Sequence, residues 1–451
     1  MTYVGLLCLF GGITIYEIYI LIRNTNVFCF IFYFLIIQQL SRGFSAAYLD
    51  QGAFNLELGN YTWNAYAGPL YFIYLSIFLL FINIFISIAN KIILDKQHDY
   101  IPMLRNDLRV SLLNTAGLFF IVYLAIDMFI SGIPLLSSGI ITRFNYWNDY
   151  SRLPAASLVS SLLAVICVGF GLNLGSGAMG KKGRNLEIGI IVMMFVERVM
   201  LGYRVSGITD LAVGLVVGYL YRKFAILRPS RRTIIKVGQL VIVVIIVAFI
   251  TYIITTIISN PEISLTDIWQ KFLERQLVLS GHMEWAVFSD PASRSWGIND
   301  SAELLSVLRG GSEMSAHYGV YGMMAEFAPV DLYNLYFEDG VRYATSFITA
   351  SLFYNGICVT LLIIIINAFI YAMFYYCFRV MSITNHILVF ALLYRVYIIF
   401  NSYINASGTL TSFYRTNVAV LIVGCVALWF IENYIQSFRA RKMCRVLLDE
   451  I

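Results

Sequence analysis

Charged residues are scarce in this sequence. Asp, Glu, Lys and Arg together make up 13% of the 451 residues, whereas a soluble domain carries roughly 25%. Apolar residues make up 59% of the chain, and they occur in blocks long enough to cross a bilayer. An ordinary soluble globular protein is excluded, because its surface would have to be more polar. The sequence indicates a polytopic membrane protein.

Proline is also rare, with eight residues in the chain, and no internal repeat is found beyond the recurrence of apolar blocks. None of the seven cysteines lies in a polar loop, so structural disulfides are not expected. The sequence has no phosphate-binding loop, dinucleotide fingerprint, metal-binding His or Cys pair, or nucleophile elbow. We therefore expect no metal, no cofactor and no nucleic acid.

Windows of about 20 apolar residues predict eleven transmembrane helices. They lie at roughly 2–22, 27–40, 66–89, 110–131, 153–174, 186–203, 205–221, 238–259, 346–378, 383–403 and 416–436. The expected fold is an all-α polytopic membrane protein in three parts. Residues 1–259 form eight helices, 260–345 a large outer loop, and 346–451 three helices with a short basic tail.

Basic residues collect on one side of these helices. Nineteen of the 31 Lys and Arg residues fall in short connections that alternate with the predicted helices, which is the pattern of cytoplasmic loops. The C-terminus is therefore expected in the cytoplasm and the N-terminus outside. This orientation requires two short helices that meet near Arg204, since one long helix over 186–221 would invert everything before it.

The largest outer connection, 260–345, differs in composition from the rest of the chain. It holds 12 of the 26 acidic residues, five basic residues and eight Trp or Tyr residues. Carboxylates beside aromatic rings are typical of carbohydrate recognition, because hydroxyls need acceptors and sugar rings stack on flat side chains. The alternative is that the rings form the core of the loop itself. The aromatic residues predicted to bind sugar, here and in an earlier outer segment, are Tyr146, Trp147, Trp296 and Tyr321.

The start of this loop predicts an amphipathic helix. Ser264 and Asp267 offer capping groups, and apolar residues between Leu265 and Leu277 recur at helical spacing with charged residues on the other face. Such a helix either lies on the membrane surface or caps the helix bundle.

Twelve basic residues lie outside the cytoplasmic set, and eleven of them are arginine. The guanidinium group binds phosphate through two parallel hydrogen bonds and stays charged, so arginines at the outer boundary suit a lipid-linked phosphate or diphosphate. Arg395 lies in an apolar helix, where an unpaired charge costs about 2.5 kcal/mol or more, so it needs a polar cavity or a partner. Arg143 and Arg152 precede a predicted helix whose N-terminus favours phosphate.

Arg198 and Arg204 lie at the outer end of the predicted sixth helix. Both are candidates for the same phosphate chemistry. The alternative is a structural ion pair, which Arg198 would form with Glu197 or Asp127.

His317 is the histidine that best suits a catalytic role. It lies in a glycine-rich stretch of the large loop, and the pKa of an unperturbed histidine, near 6.5, suits a base for a sugar hydroxyl. The competing carboxylates are Glu313, Glu326 and Asp300. A surface histidine without a catalytic role is the alternative.

Two local segments and the overall architecture resemble the O-antigen or capsule repeat-unit polymerases of the Wzy type. Gly202-Tyr-Arg204-Val-Ser206-Gly207 is similar to the glycine–arginine–serine segment common in these polymerases, and the stretch Ser346–Gly356 resembles their aromatic–glycine entry to the helix after the loop. Over the whole length, the chain is similar in having about eleven helices and a large outer loop late in the sequence. The family's arginine-x10-glycine spacing is only approximated, with nine residues between Arg204 and Gly214.

The resemblance implies a metal-independent glycosyltransferase of the membrane C class in the bacterial inner membrane. The donor is the growing polyprenyl diphosphate-linked chain, and its diphosphate leaves as the terminal hydroxyl of a new lipid-linked unit attacks the anomeric carbon, with inversion. The residues expected to be catalytic are His317, Glu313, Arg204 and Arg395. The residues expected to bind the diphosphate are Arg143, Arg152, Arg204, Arg309, Arg342 and Arg395. The expected partners are polyprenyl diphosphate-linked oligosaccharides and membrane lipid, with a chain-length regulator and a flippase as candidate protein partners.

Two other functions remain open from the sequence. An O-antigen ligase shares the mechanism and the large loop but transfers the glycan to a lipid A core. A lipid-linked oligosaccharide flippase also places arginines and carboxylates in the membrane, although transporters of that kind usually show internal repeats.

Overall fold

The computed structural model shows a helical chain. It describes residues 2–52, 57–58, 66–96, 101, 108–137, 141, 145–178, 180–203, 205–225, 239, 246, 249–258, 263–309, 319–338 and 340–449. Every regular element among these residues is a helix. The α-helices, in chain order, are α1 (Tyr3–Thr25), α2 (Tyr33–Leu49), α3 (Ala67–Lys96), α4 (Leu108–Ser131), α5 (Ala156–Ser176), α6 (Lys181–Met200), α7 (Val205–Lys223), α8 (Phe249–Ile258), α9 (Leu265–Leu277), α10 (His282–Ser289), α11 (Ala302–Arg309), α12 (Gly319–Phe327), α13 (Val330–Glu338), α14 (Phe347–Thr384), α15 (Ile387–Ser402) and α16 (Thr416–Asp449).

Seven helical stretches in the described part of the chain are long and apolar enough to cross a membrane, judged by length and composition. They are Tyr3–Leu49, Ala67–Lys96, Arg109–Leu136, Ala156–Ser176, Phe347–Thr384, Ile387–Ser407 and Thr416–Ser437. The all-α membrane class is confirmed, whereas the count of eleven is not. The stretch Tyr3–Leu49 contains both α1 and α2, separated by a 3-10 segment at Asn26–Phe32. The two helices fold back on each other, since the Tyr3 hydroxyl at the start of α1 donates to the Ala47 carbonyl near the end of α2 at 3.2 Å. The less apolar α6 and α7, and the shorter α8, lie where further spans were predicted.

The chain turns between α6 and α7, as the charge pattern required. α6 ends at Met200 and α7 begins at Val205. The prediction of two helices rather than one over 186–221 is therefore confirmed.

The predicted amphipathic helix is also present as α9, with the cap expected from its sequence. The backbone N–H of Asp267 donates to the Ser264 hydroxyl at 3.1 Å, and that hydroxyl donates to the Asp267 carboxylate at 2.7 Å. Leu265, Trp269 and Leu277 are exposed on α9. This apolar face fits a helix at a membrane surface, and its placement there stays a prediction.

The chain divides into two compact units. Unit 1 comprises Met1–Ile92, Trp269–Tyr376 and Val396–Val420, and unit 2 comprises Ile93–Ile268, Cys377–Arg395 and Leu421–Ile451. Each unit therefore combines segments that are far apart in the sequence.

In unit 2, α5 and α7 pack with their backbones in close contact. A Cβ atom on Gly171 would lie 2.2 Å from the Leu215 carbonyl oxygen, and one on Gly218 would lie 2.2 Å from the Val168 oxygen. Only glycine fits at these two positions. Small residues at helix contacts of this kind are typical of packing inside membranes.

Arginines join several segments of unit 2 that were predicted to be cytoplasmic. Arg109 donates to the Asn385 carbonyl at 2.6 Å and pairs with Glu432 at 3.2 Å, where both side chains are buried. Arg222 donates to the Ile101 carbonyl at 2.9 Å and to the Ser382 carbonyl. These contacts bring together segments that the sequence assigned to one side of the membrane.

Candidate functional site

A buried ion pair lies near the C-terminal end of α2 in unit 1. The Arg42 guanidinium donates to the Glu284 carboxylate on α10 at 2.6 Å, and the exposed fractions of the two side chains are 5% and 0%. Removing one partner of such a pair leaves an uncompensated buried charge, which costs roughly 3–5 kcal/mol. The pair therefore holds α10 firmly against α2.

The same pair also fixes two neighbouring chain segments. Arg42 donates to the Ala344 carbonyl at 3.2 Å and to the Asn405 carbonyl at 2.7 Å. Glu284 accepts a hydrogen bond from the Ser346 backbone N–H at 2.8 Å. Three connections between predicted helices, 41–65, 260–345 and 404–415, thus meet around one ion pair. The predicted orientation places all three on the outer side.

The short helix α10 is buried along its whole length, although it carries a histidine and a glutamate. Close backbone contact explains how it fits: a Cβ on Gly281 would lie 2.5 Å from the Arg42 carbonyl oxygen. The Ser45 hydroxyl, one turn further along α2, donates to the Val278 carbonyl at 2.9 Å. The segment around Gly281 therefore packs directly on the α2 backbone, and this places His282 beside the ion pair.

His282 is buried in its neutral form. Its pKa is lowered to about 4, mainly by burial and to a smaller extent by the nearby Arg42 charge, against the opposing effect of a hydrogen bond to the Leu279 carbonyl. That carbonyl lies 2.8 Å from Nδ1 and accepts the Nδ1 proton, so Nε2 carries the lone pair. Nε2 lies 3.4 Å from Oε2 of Glu57, and it has no hydrogen-bond partner among the described residues.

Glu57 is the partly exposed carboxyl of this cluster, with 20% of its side chain accessible. The Tyr336 hydroxyl donates to its Oε1 at 3.0 Å, and the Tyr343 hydroxyl donates to its backbone carbonyl at 2.6 Å. Burial raises the pKa of Glu57, while the Tyr336 hydrogen bond lowers it. The Tyr343 ring packs edge-on against His282, with 4.6 Å between ring centroids.

A second buried carboxyl, Glu303 on α11, lies elsewhere in unit 1. It accepts hydrogen bonds from the Leu410 backbone N–H at 2.8 Å and from the Asn355 side chain at 3.4 Å. The pKa of Glu303 is raised to about 7, mainly by burial; the hydrogen bonds from Leu410 and Asn355 lower it, and the charge of Asp300 raises it.

The long helix α14 has a break at Gly356, one residue after Asn355. The φ of Gly356 is 66°, so the helix cannot continue its regular hydrogen bonding at this position. The loop before α11 replaces the missing bonds. The Asn299 side chain donates to the Phe353 carbonyl at 2.8 Å, and the Ile357 N–H donates to the Ser295 carbonyl at the same distance of 2.8 Å.

In unit 2, Asp127 organises the start of α5. It accepts hydrogen bonds from the Tyr146 hydroxyl at 2.8 Å, the Ser151 hydroxyl at 2.9 Å, and the backbone N–H groups of Arg152 and Leu153 at 3.0 Å. The Arg152 side chain is exposed. The Arg152 cation therefore lies before the start of α5, as its sequence position predicted. The backbone N–H groups of Arg152 and Leu153, however, already donate to Asp127.

Arg198 bonds to Ser160, and the described contacts do not include the ion pair with Glu197 or Asp127 that was the alternative to phosphate binding. It donates to the Ser160 hydroxyl at 3.1 Å and to the Ser160 carbonyl at 2.6 Å. Its guanidinium carbon lies 4.7 Å from the centre of the Tyr203 ring. The described contacts therefore give Arg198 a role in joining α5 and α6.

The residues predicted for catalysis and diphosphate binding are only partly described. Arg143, Arg204, Glu313 and His317 lie outside the described residues, as does the side chain of Arg309. Arg342 in unit 1 is exposed, and Arg395 on α15, in unit 2, is half-buried.

The four aromatic residues predicted to bind sugar have different environments. Trp296 is 72% exposed, whereas Tyr146 and Tyr321 are almost fully buried. Trp147 is half-buried and packs on Tyr146, with 4.9 Å between ring centroids. The burial of Tyr146 and Tyr321 is that of core residues and leaves no ring face open for stacking in this conformation.

Two predicted residues of unit 1 lie near each other. Burial raises the pKa of the Tyr321 hydroxyl, and the Arg342 charge lowers it. Arg342 therefore lies within electrostatic reach of Tyr321.

The ionisable groups that the structure brings together in unit 1 were assigned no role from the sequence. Four of them are buried, namely Arg42, His282, Glu284 and Glu303, and the fifth, Glu57, is partly exposed. A usable signal existed for two of them, since Arg42 closely follows an apolar run and Glu284 lies between Met283 and the apolar stretch from Trp285 to Phe288. A charge in such surroundings needs a partner.

Comparison with known proteins gives one partial match. Residues 313–422 match a family described as a family of unknown function (DUF6418). The matched range is less than half of the chain, and it includes α12 to α15 and the start of α16. No curated protein and no solved structure matches the chain.

Proposed function

We propose that this protein is a Wzy-type polymerase, which joins polyprenyl diphosphate-linked oligosaccharide repeat units at the periplasmic face of a bacterial inner membrane. The product is an extended O antigen or capsule chain. The proposal includes a periplasmic N-terminus and a cytoplasmic C-terminus.

One observation carries the proposal: acid–base and aromatic groups gather at the ends of α2, α14 and α15 in unit 1. Three segments with the predicted outer orientation contribute them. The partly exposed carboxyl of Glu57, with Tyr336 beside it, suits a sugar hydroxyl as its ligand. The buried Arg42–Glu284 pair next to it fixes the positions of the surrounding chain segments.

The proposed reaction makes two chemical demands. The leaving diphosphate needs cations to stabilise its charge, and the attacking hydroxyl needs a base. Arginine meets the first demand without a metal, and the exposed side chains of Arg152 and Arg342 are accessible for it. Arg143, Arg204, Arg309 and Arg395 are the other arginines proposed for this role.

Deleting the gene tests the proposal. Surface glycan from the deletion strain, separated on a gel, is expected to carry a single repeat unit, and a plasmid copy of the gene should restore the ladder of longer chains. Complete loss of repeat units on the surface would instead indicate a flippase or a ligase. An unchanged ladder would show that the protein does not extend this glycan.

A further inference from the structure

We propose that Glu57 is the base that takes the proton from the acceptor hydroxyl, and that His282 is the positioning residue that makes Glu57 basic enough to do so. This inference rests on the proposed function. It assigns the base to a residue near the start of the chain rather than to the glycine-rich stretch around His317.

Of the three carboxyls Glu57, Glu284 and Glu303, Glu57 is the accessible one. Glu284 and Glu303 are buried, with 0% and 1% of their surface exposed. Glu284 is committed to Arg42 and the Ser346 N–H. Glu57 combines a 20% exposed side chain with a hydrogen bond from Tyr336 that orients one of its oxygens. Its other oxygen, Oε2, points toward His282.

The tautomer of His282 explains why Glu57 would hold a proton tightly. Because Nδ1–H donates to the Leu279 carbonyl, the lone pair of Nε2 is the group that faces Oε2 of Glu57. An ionised carboxylate is repelled by that lone pair, whereas a protonated carboxyl gains an acceptor for its new O–H. The contact therefore favours the protonated form of Glu57.

The surrounding charges keep the proton on Glu57 rather than on His282. Burial and the Arg42 charge both disfavour an imidazolium ion. Of the groups on α9, Glu274 raises the pKa of Glu57 and Arg275 lowers it, and the hydrogen bond from Tyr336 on α13 lowers it as well. Burial, which raises the pKa of Glu57, is the largest of these effects.

The chemical step balances with these groups. The acceptor O–H bond breaks and its proton moves to the Glu57 carboxylate. The acceptor oxygen forms a bond to the anomeric carbon as the bond from that carbon to the diphosphate oxygen breaks. Polyprenyl diphosphate leaves with the electron pair, and the protonated Glu57 donates to Nε2 of His282 until the proton is lost to water.

Two variants separate this role from a structural one. Glu57→Gln keeps an oxygen to accept from Tyr336, so the fold should be retained while the base is lost. His282→Phe keeps a ring to pack against Tyr343 but removes the lone pair. Lys271→Ala, which changes an exposed residue of α9, is the matched control.

The test uses the full-length protein in lipid vesicles with polyprenyl diphosphate-linked repeat units as substrate. Glu57→Gln should lower the rate of chain extension by about 100-fold or more, the usual contribution of a general base, and Glu57→Asp should recover part of it. The rate of the wild-type protein should rise with pH as Glu57 loses its proton, and in His282→Phe this rise should move to lower pH. A wild-type rate in Glu57→Gln, with the wild-type protein active, would overturn the inference and leave His317 or one of the carboxylates Glu313, Glu326 and Asp300 as the base.

A measurement without substrate distinguishes failure of this inference from failure of the proposed function. The infrared band of a protonated carboxyl, compared between wild-type protein and Glu57→Gln across a pH titration, gives the pKa of Glu57 directly. That pKa should fall in His282→Phe. An unchanged pKa would overturn the role of His282 whether or not the protein extends glycan chains.

Discussion

Arg42 and Glu284, which are 242 positions apart in the sequence, lie in direct contact, with 2.6 Å between Nη1 and Oε1. Neither side chain has appreciable contact with solvent. The pair connects α2 to α10. Through their further hydrogen bonds, Arg42 and Glu284 also bind the chain just before α14 and just after α15.

Breaking this pair should destabilise the protein. Arg42→Met or Glu284→Gln alone leaves one buried charge or donor without its partner, and each should lower the free energy of unfolding by about 3–5 kcal/mol. The double variant should lose less than the sum of the two, because no charge is then left unpaired. Equilibrium unfolding in mixed detergent micelles measures all three. Strictly additive losses would contradict a direct interaction between the two side chains.

Gly356 should not tolerate a side chain. Its φ of 66° and ψ of −173° lie in a backbone region that is essentially restricted to glycine, which disfavours any other residue by about 1–3 kcal/mol, and a Cβ would lie 2.0 Å from the Gly297 carbonyl oxygen. Gly356→Ala should therefore lower the melting temperature and displace the loop that contacts the break in α14. Gly11→Ala is the control, since nothing lies within 4 Å of a Cβ at that position of α1. Equal stability of the two variants would contradict this explanation of the break.

The arginines proposed to bind the diphosphate should be needed for chain length and not for folding. Arg204→Ala or Arg395→Ala is expected to abolish chain extension at normal protein levels, because the charge of the leaving diphosphate would lack its counter-ion. Surface glycan from complemented deletion strains, run beside Lys271→Ala, measures the effect. Wild-type chain lengths in both arginine variants would remove these residues from the proposed site.

The predicted orientation is tested by labelling single cysteines. In a variant without its native cysteines, Lys271→Cys on α9 should react with a membrane-impermeant maleimide added to the periplasmic side. Lys182→Cys, at the start of α6, should react only after the inner membrane is opened. Both positions are exposed in the structure, so accessibility within the protein does not bias the comparison. Labelling of Lys182→Cys from the periplasm, with Lys271→Cys protected, would show that the orientation is the opposite of the predicted one.

Local features of the fold followed from local patterns in the sequence. The apolar blocks predicted an all-α membrane protein, the interrupted pattern near Arg204 predicted the turn between α6 and α7, and Ser264 with Asp267 predicted the cap of α9. Each of these depends on residues within a few turns of one another, because hydropathy and capping act over short distances. The predicted number of spans is not confirmed, since α6 and α7 are helices of moderate polarity whose place in a membrane is not fixed by length and composition.

The sequence by itself determined that this chain is helical, apolar and rich in arginine outside its predicted cytoplasmic loops. Only the tertiary structure decided which charges meet. Arg42 pairs with a glutamate from the large loop, His282 faces Glu57, and Tyr146 is buried against Asp127 rather than open to a ligand. The physical reason is that a buried charge or hydroxyl must find a partner, but that partner comes from whichever segment the packing of helices brings close.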